Sequence, residues 1–185
     1  MNEFEIDKRA MRNAFSKAAT QYDASAVLQR EVCIRMFEKL DLIKIKPTDI
    51  LDIGSGTGWG TRQLGERFKE ANIVALDIAI GMLQAARGTS NWWQKLFTGS
   101  KQHYLCADAE ALPLATRGMD MVWSNLAVQW CNNLPATFVE LNRTIKNDGL
   151  LMFSTFGPDT LKELRIAFDG VDGYNHVNRF ADMHD

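Results

Sequence analysis

Cysteine is scarce: Cys33, Cys106 and Cys131 stand far apart and form no C-x-x-C pair. That argues against a disulfide framework and a cysteine-bound zinc site, and it fits a reducing cytoplasm. Histidine is equally scarce, at three residues. His176, Asp182, His184 and Asp185 crowd the last ten positions. They lack the tight spacing of an H-E-x-x-H pair, so no metal is expected. No apolar run approaches the length of a membrane span. The opening MNEFEIDKRAMRNAF alternates charged with apolar residues and is not read as a signal peptide. Positive charge is not in excess, with 21 Lys and Arg against 23 Asp and Glu and a net charge of -2. A general nucleic-acid binder is therefore not expected. Internal repeats and low-complexity segments are missing too.

What remains is an ordinary globular composition, 46% hydrophobic and 24% charged over 185 residues, enough for one domain with a real core. The chain is organised around Ile50-Leu51-Asp52-Ile53-Gly54-Ser55-Gly56-Thr57-Gly58-Trp59-Gly60. A short apolar strand from Asp49 to Ile53 runs into glycines at alternate positions. A helix follows, with Leu64 and Phe68 on one buried face. Strand, glycine turn and helix in this order open a doubly wound nucleotide-binding sheet. A dinucleotide fingerprint needs G-x-G-x-x-G, and counting from Gly54 or Gly56 puts Trp59 or Thr61 where its third glycine should stand. The pattern here is D-x-G-x-G-x-G.

Before this unit the spacing predicts a helix from Asp7 to about Ala19, with Met11, Phe15 and Ala18 on one face. Gln21-Tyr22-Asp23 falls between it and a second helix over Ala24–Leu40. Residues 1–46 are thus read as a helical cap, and 47–185 as the α/β domain. The two helices either cap the ligand end of the sheet or merely cover it. Strand two, Asn72–Asp77, is nearly all apolar, as a parallel strand covered on both faces should be. An acid at its end can accept both hydroxyls of a ribose, or can simply cap the next helix, Ile80–Arg87. Gly88–Gln102 forms a long connection whose Trp92 and Trp93 are read first as packing residues. Strand three is His103–Ala107, and Asp108 beyond it can accept an adenine amine. Strand four is Met119–Ser124, and its end faces strand one across the topological switch point. Pro135 opens a helix to Ile145, Lys146–Gly149 turns the chain, and strand five is Leu150–Thr155. Thr160 and Glu163 offer a capping box for a helix to Phe168. The fold expected is α/β, a mostly parallel sheet with helices on both faces.

LDIGSGTG resembles motif I of the class I S-adenosylmethionine (SAM) methyltransferases, and Asp52, Asp77 and Asp108 at or near successive strand ends fit the same Rossmann-like pattern. The order Phe15…Tyr22-Asp23…Gln29, LDIGSGTG, ADAEALP, WSNLAVQWCNNL, FSTFGPDTLKEL and HVNRFADMHD is similar to the malonyl-acyl-carrier-protein O-methyltransferases of biotin synthesis. SNLAVQW is shared with carboxylate methyltransferases such as the trans-aconitate enzyme. FGPDTLKEL and NRFADMHD are the more specific stretches. In that family the sheet continues into a strand six–seven hairpin. The sequence supplies five strands, so the chain reads as C-terminally truncated. An inactive remnant, or a trans-aconitate-like methyltransferase of another small carboxylate, is the alternative.

The resemblance implies SAM as cofactor and S-adenosylhomocysteine as product. It implies a free malonyl carboxylate, on an acidic carrier protein or on coenzyme A, as acceptor. A cytoplasmic monomer is expected, without nucleic-acid or membrane partners. It also implies the roles. Gly54, Ser55 and Gly56 approach the methionine moiety and Asp52 organises the turn. Asp77 with Ile78 holds the ribose edge, and Asp108 with the Ala109 N–H holds the adenine. Asn125 lines the sulfonium region, while Tyr22 and Gln29 close over the cofactor. Trp130, His176 and Arg179 serve the substrate, with Arg179 as the cation that meets its carboxylate. No catalytic acid or base is expected, because a carboxylate of pKa about 4 is already an anion at neutral pH.

Overall fold

The computed structural model of the chain describes residues 5–89, 101–169, 171 and 180. Two helices, α1 (Lys8–Ser25) and α2 (Val27–Leu40), precede β1 (Asp49–Ile53). Then follow α3 (Trp59–Arg67), β2 (Asn72–Asp77), α4 (Ile80–Thr89), β3 (Lys101–Cys106) and β4 (Met119–Asn125). A 3-10 turn (Val128–Trp130), α5 (Leu134–Thr144), β5 (Ile145–Ser154) and α6 (Lys162–Phe168) complete the described elements. The strands pair in the order β3-β2-β1-β4-β5, and every pairing is parallel. The chain reverses its winding between β1 and β4, which puts a crevice beyond the carboxyl ends of those two strands.

Alternation along β1 sorts its residues onto two faces. Ile50 joins Cys33, Met36 and Leu40 of α2, Leu64 of α3, and Ile73, Met121 and Trp123. Leu51 and Ile53 face the other way, with Leu76, Val122, Leu112 and Leu141 of α5. Trp123 is fully buried and stacks on Phe37 at 4.6 Å between ring centres. These two cores make β1 and β4 the rigid base from which the loops at the crevice project.

Several boundaries differ from the sequence reading. The first helix does not stop near Ala19: it runs to Ser25, so Gln21-Tyr22-Asp23 is helical and the break falls at Ala26, whose N–H bonds back to the Tyr22 carbonyl at 3.0 Å. Nothing in the run from Ala18 to Ala24 breaks a helix, and alanine is the best helix former. Strand three begins earlier, because Lys101 already pairs with Asn72. The helix before β5 is capped by the Asn133 side chain, which accepts from the Ala136 N–H at 3.0 Å, and Pro135 is its second residue. Lys146–Gly149 is not a separate turn but an irregularity inside β5, where the register jumps from Met119↔Ile145 to Met121↔Leu150 and Asp148 takes φ +62. The Thr160–Glu163 capping box does not form: Leu161, at φ +56, stands at that end of α6 with no side-chain cap. Trp92 and Trp93 lie outside the described residues.

Candidate cofactor site

The crevice has two lobes with a shared wall. The larger, about 720 Å³ counting the part open to solvent, is lined by Asp77, Ile78, Asp108, Ala109, Trp130 and the inner side of α1. The smaller, about 500 Å³, lies between the glycine turn and α2 and is lined by Gln29, Arg30, Asp52 and Ser55 among others. Tyr22, Gly54, Gly56 and Asn125 border both.

At the shared wall Gly54 has φ +67, and a Cβ there would sit 2.2 Å from the Cβ of Ala127. Glycine is required at this point by both backbone and space. Below it lies Asp52, 3% exposed, which accepts a hydrogen bond from the Thr61 hydroxyl at 2.6 Å. Burial pushes its pKa up to about 7, with Asp77 adding in the same direction and Thr61 opposing. Asp77 ends β2 and accepts N–H groups from Ala79 at 2.8 Å and Gly56 at 2.9 Å. Burial raises its pKa, and these two bonds work against that rise. Each Asp77 oxygen keeps acceptor capacity for a further donor, so the carboxylate ties the glycine turn to β2 and still faces the larger lobe.

Asp108 is placed differently. One oxygen accepts its neighbour's N–H, from Glu110 at 3.0 Å, and the other takes the Lys8 ammonium at 2.5 Å. Lys8 also reaches Glu110 at 2.9 Å. Its own burial lowers the ammonium pKa, but the two acids outweigh that and hold it above the usual lysine range. Lys8 was not visible as a site residue because its partners lie about a hundred positions away, and only the fold brings them together.

Tyr22 reaches both lobes from α1, and its phenol pKa is raised by burial, then by Asp77 and Asp23. Gln29 lines the smaller lobe, and its carbonyl receives the Asn125 side-chain amide at 2.8 Å. Asn125 is tied at its other end by the Ser154 hydroxyl at 3.0 Å. Both ends of its amide are thus engaged in protein hydrogen bonds. Trp130 packs edge-on against Phe15 at 5.2 Å. His176 and Arg179 lie outside the described residues. Among the described residues no group of His, Cys, Asp and Glu is arranged to hold a metal.

The smaller lobe supplies the test of fit for a SAM-like ligand. Arg30 Nε and Ser55 Oγ are buried there with no hydrogen-bond partner among the described residues. Buried polar groups in native proteins are rarely left this way. Arg30 also pairs through Nη2 with Asp23 at 3.7 Å, and Asp23 accepts from the Thr57 hydroxyl at 2.5 Å. The groups left open are therefore the Arg30 Nε and the Ser55 hydroxyl, which suit the carboxylate of a zwitterion, with Asp52 and Asp23 close by for its ammonium. Arg30 was missed in the sequence because it follows Gln29 on what reads as an ordinary helix surface. The signal that could have found it is its place one turn beyond Ala26, opposite the glycine turn.

A family model described as "Methyltransferase domain" matches residues 51–153. The chain is 69% identical to malonyl-[acyl-carrier protein] O-methyltransferase of Gallionella capsiferriformans, over all of this chain and 64% of that protein. It is 55% identical to the protein of the same name from Nitrosospira multiformis, over 97% of this chain and 62% of that one. It therefore spans somewhat less than two thirds of the length of these curated relatives. Among solved structures, a chain from the complex of the Haloferax volcanii Trm112 methyltransferase activator with a methyltransferase superposes with a TM-score of 0.69 at 17% identity, over 91% of this chain and 69% of that one. A SAM-dependent methyltransferase of Aquifex aeolicus gives 0.62 at 17% identity, over 77% and 73%. At such identities these two speak for the fold. By its sequence and its Rossmann-like sheet, the chain belongs to the methyltransferase-domain family.

Proposed function

We propose that this chain binds SAM across the two lobes and that the protein methylates the free carboxylate of malonyl-acyl-carrier protein. The observation that carries the reading is the pairing of Asp77 and Asp108 in one lobe with the open Arg30 and Ser55 in the other. The first pair suits adenosine and the second suits the amino-acid end. Gly54, Tyr22 and Asn125 then flank the sulfonium where the lobes meet. The relatives' names support the acceptor. When bound, the cofactor supplies an electrophilic methyl group.

The chain's residues have little chemistry left to do. A carboxylate nucleophile needs no proton removed. With SAM bound, its methyl would pass to the acceptor oxygen, the sulfur would keep the bonding electrons, and S-adenosylhomocysteine would leave as product. Rate comes from alignment and from desolvation of the nucleophile, so the roles are positional. Asp52 holds Thr61 beneath the turn, and Ile78 and Ala109 wall the adenosine lobe. Gln29 fixes Asn125, and Trp130 shapes the acceptor side. Arg179 is the cation for the acceptor carboxylate and His176 its neighbour in role. We infer a monomer working in the cytoplasm, with malonyl-coenzyme A as an alternative acceptor. Among the described residues no helix is long and apolar enough to cross a membrane.

Titration calorimetry with S-adenosylhomocysteine tests the first half. Saturable binding that is lost in Asp77→Ala and weakened about tenfold or more in Arg30→Ala is the expected result. A folded chain with no binding overturns it. The second half is tested by incubating the protein, alongside a full-length relative, with SAM and malonyl-carrier protein. Gain of one methyl by the malonyl carrier, absent from the acetyl carrier, is expected.

A further inference from the structure

Leu126 follows β4 and has φ +51, a left-handed conformation that a branched, bulky residue rarely takes. Such a conformation costs about 1–2 kcal/mol in an L-residue. It persists only where its surroundings enforce it, and such places concentrate at functional sites. Here the enforcement is visible. The Leu126 N–H is shared between the Ser154 carbonyl at 3.1 Å and the Ser154 hydroxyl at 3.0 Å. Its carbonyl accepts from the Gln129 side-chain amide at 2.7 Å, and Gln129 in turn accepts from the Thr155 hydroxyl at 3.4 Å. The Ser154 hydroxyl donates its own hydrogen bond to the Asn125 side-chain oxygen, and the Asn125 amide donates to the Gln29 carbonyl. Glycine would adopt this turn without strain or help. A leucine with three hydrogen bonds around its peptide groups stands there instead, and its side chain lines the larger lobe. The next residue, Ala127, is the one that Gly54 must make room for.

We propose that Ser154 and Gln129 are positioning residues, which lock Leu126 in the left-handed conformation so that Leu126 and Ala127 form the wall where the two lobes meet. In the functional reading, on which this rests, that wall sets where the sulfur and its methyl sit between adenosine and the amino-acid end. Neither residue touches the transferred group.

The test compares S-adenosylhomocysteine, which crosses the junction, with adenosine, which fills one lobe only. Ser154→Ala and Gln129→Ala should each weaken S-adenosylhomocysteine about tenfold and leave adenosine within about twofold. Ser154→Thr, which keeps the hydroxyl, should restore binding. The decisive variant is Leu126→Gly. Because glycine holds the turn unaided, adding Gln129→Ala to Leu126→Gly should cost nothing further, Gln129 being the partner that bonds Leu126 without also bonding Asn125. If Gln129→Ala costs the same on both backgrounds, or weakens adenosine equally, the proposal is overturned and the functional reading survives. If the unaltered protein binds neither ligand, both fall together. Melting curves on every variant keep a loss of fold from passing as a loss of position.

Discussion

The two helices ahead of the sheet look alike in the sequence and are held in opposite ways. α2 sends Cys33, Met36 and Leu40 into the core formed with β1 and β4. Of α1's eighteen residues Ala19 is the buried one, in a small cluster with Ala79 and Met82. α1 rests on that cluster, against which its Phe15 and Tyr22 pack, and is tied by polar groups at its start. Lys8 bridges Asp108 and Glu110, and the Ile6 main chain exchanges two hydrogen bonds with the Asn132 side chain, at 2.8 and 2.9 Å. Yet both helices line the crevice: α1 brings Lys8, Met11, Phe15 and Tyr22, and α2 brings Gln29 and Arg30. Burial makes α2 part of the scaffold. α1, with one fully buried residue, is expected to open apart from the rest.

The largest effect expected follows from breaking the rooted helix. Leu40 is fully buried, and Leu40→Ala should cost about 2–5 kcal/mol in urea unfolding through lost burial and the cavity left behind. Ala18→Ser, on the exposed side of α1, should change stability by less than about 0.5 kcal/mol. If the two losses were equal, the distinction between the helices would fail.

Acidity sharpens the same contrast. Cys33 of α2 borders the smaller lobe together with Asp52, and its thiol is pushed up to about 12 by burial first and by the Asp52 charge second. The Asp52 carboxyl, raised to about 7, binds its proton more tightly in the folded chain than in the unfolded one. Stability should therefore fall as pH rises from about 4 to about 7, because over that window the folded state must give up a proton that the unfolded state has already lost. Asp52→Asn should flatten the slope in that window, measured by urea midpoints at a series of pH values. Asp120, held at about 2 mainly by Lys146 and Thr48 against its own burial, acts at the other end, and its contribution is lost as pH falls below the usual carboxylate range. A slope unchanged in Asp52→Asn would show that this carboxyl is not the group responsible.

How much of this was legible depends on the range of the interaction. The glycine turn, the strands and the acids at their ends are written in local order, so Asp52, Asp77 and Asp108 could be placed without coordinates. The extent of α1 was not, because Tyr22 and Asp23 are neutral as boundary signals and what ends the helix is backbone geometry at Ala26. Arg30 is recognisable by an empty hydrogen-bond position, a property of packing. Leu126 is hidden more deeply, since leucine signals no turn and its partners Ser154 and Gln129 stand on separate elements. Lys8 belongs with these. The part of the site that the sequence hid is the part assembled by contact between distant segments.

Contact between α1 and α4 offers a smaller perturbation. A Cβ on Gly81 would lie 2.5 Å from the Ser16 carbonyl oxygen and 2.7 Å from its Cα. Gly81→Ala gains about 1 kcal/mol of helix propensity and loses about 1–3 kcal/mol to overpacking, so the global stability should move by less than about 2 kcal/mol. The strain is relieved by shifting α1, not α2. S-adenosylhomocysteine binding should weaken well beyond what the stability change implies. A variant that binds normally would show that α1 can shift without disturbing the site.

A small effect on stability, and the most direct test of α1 as a separate unit, comes from its polar tie. The Lys8, Asp108 and Glu110 side chains are 24%, 35% and 18% exposed, a setting in which an ion pair is worth about 0–1 kcal/mol. Lys8→Ala should leave the melting temperature nearly unchanged. The same free energy is a large share of what holds α1, so amide hydrogen exchange across residues 8–22 should quicken by up to about fivefold while that of α2 stays put. Raising the salt concentration should bring the unaltered protein toward the variant, because screening weakens a partly exposed pair, and Lys8→Arg should behave like the unaltered chain. Exchange that quickened equally in both helices would mean that they open as one body, and the division between them would have to be withdrawn.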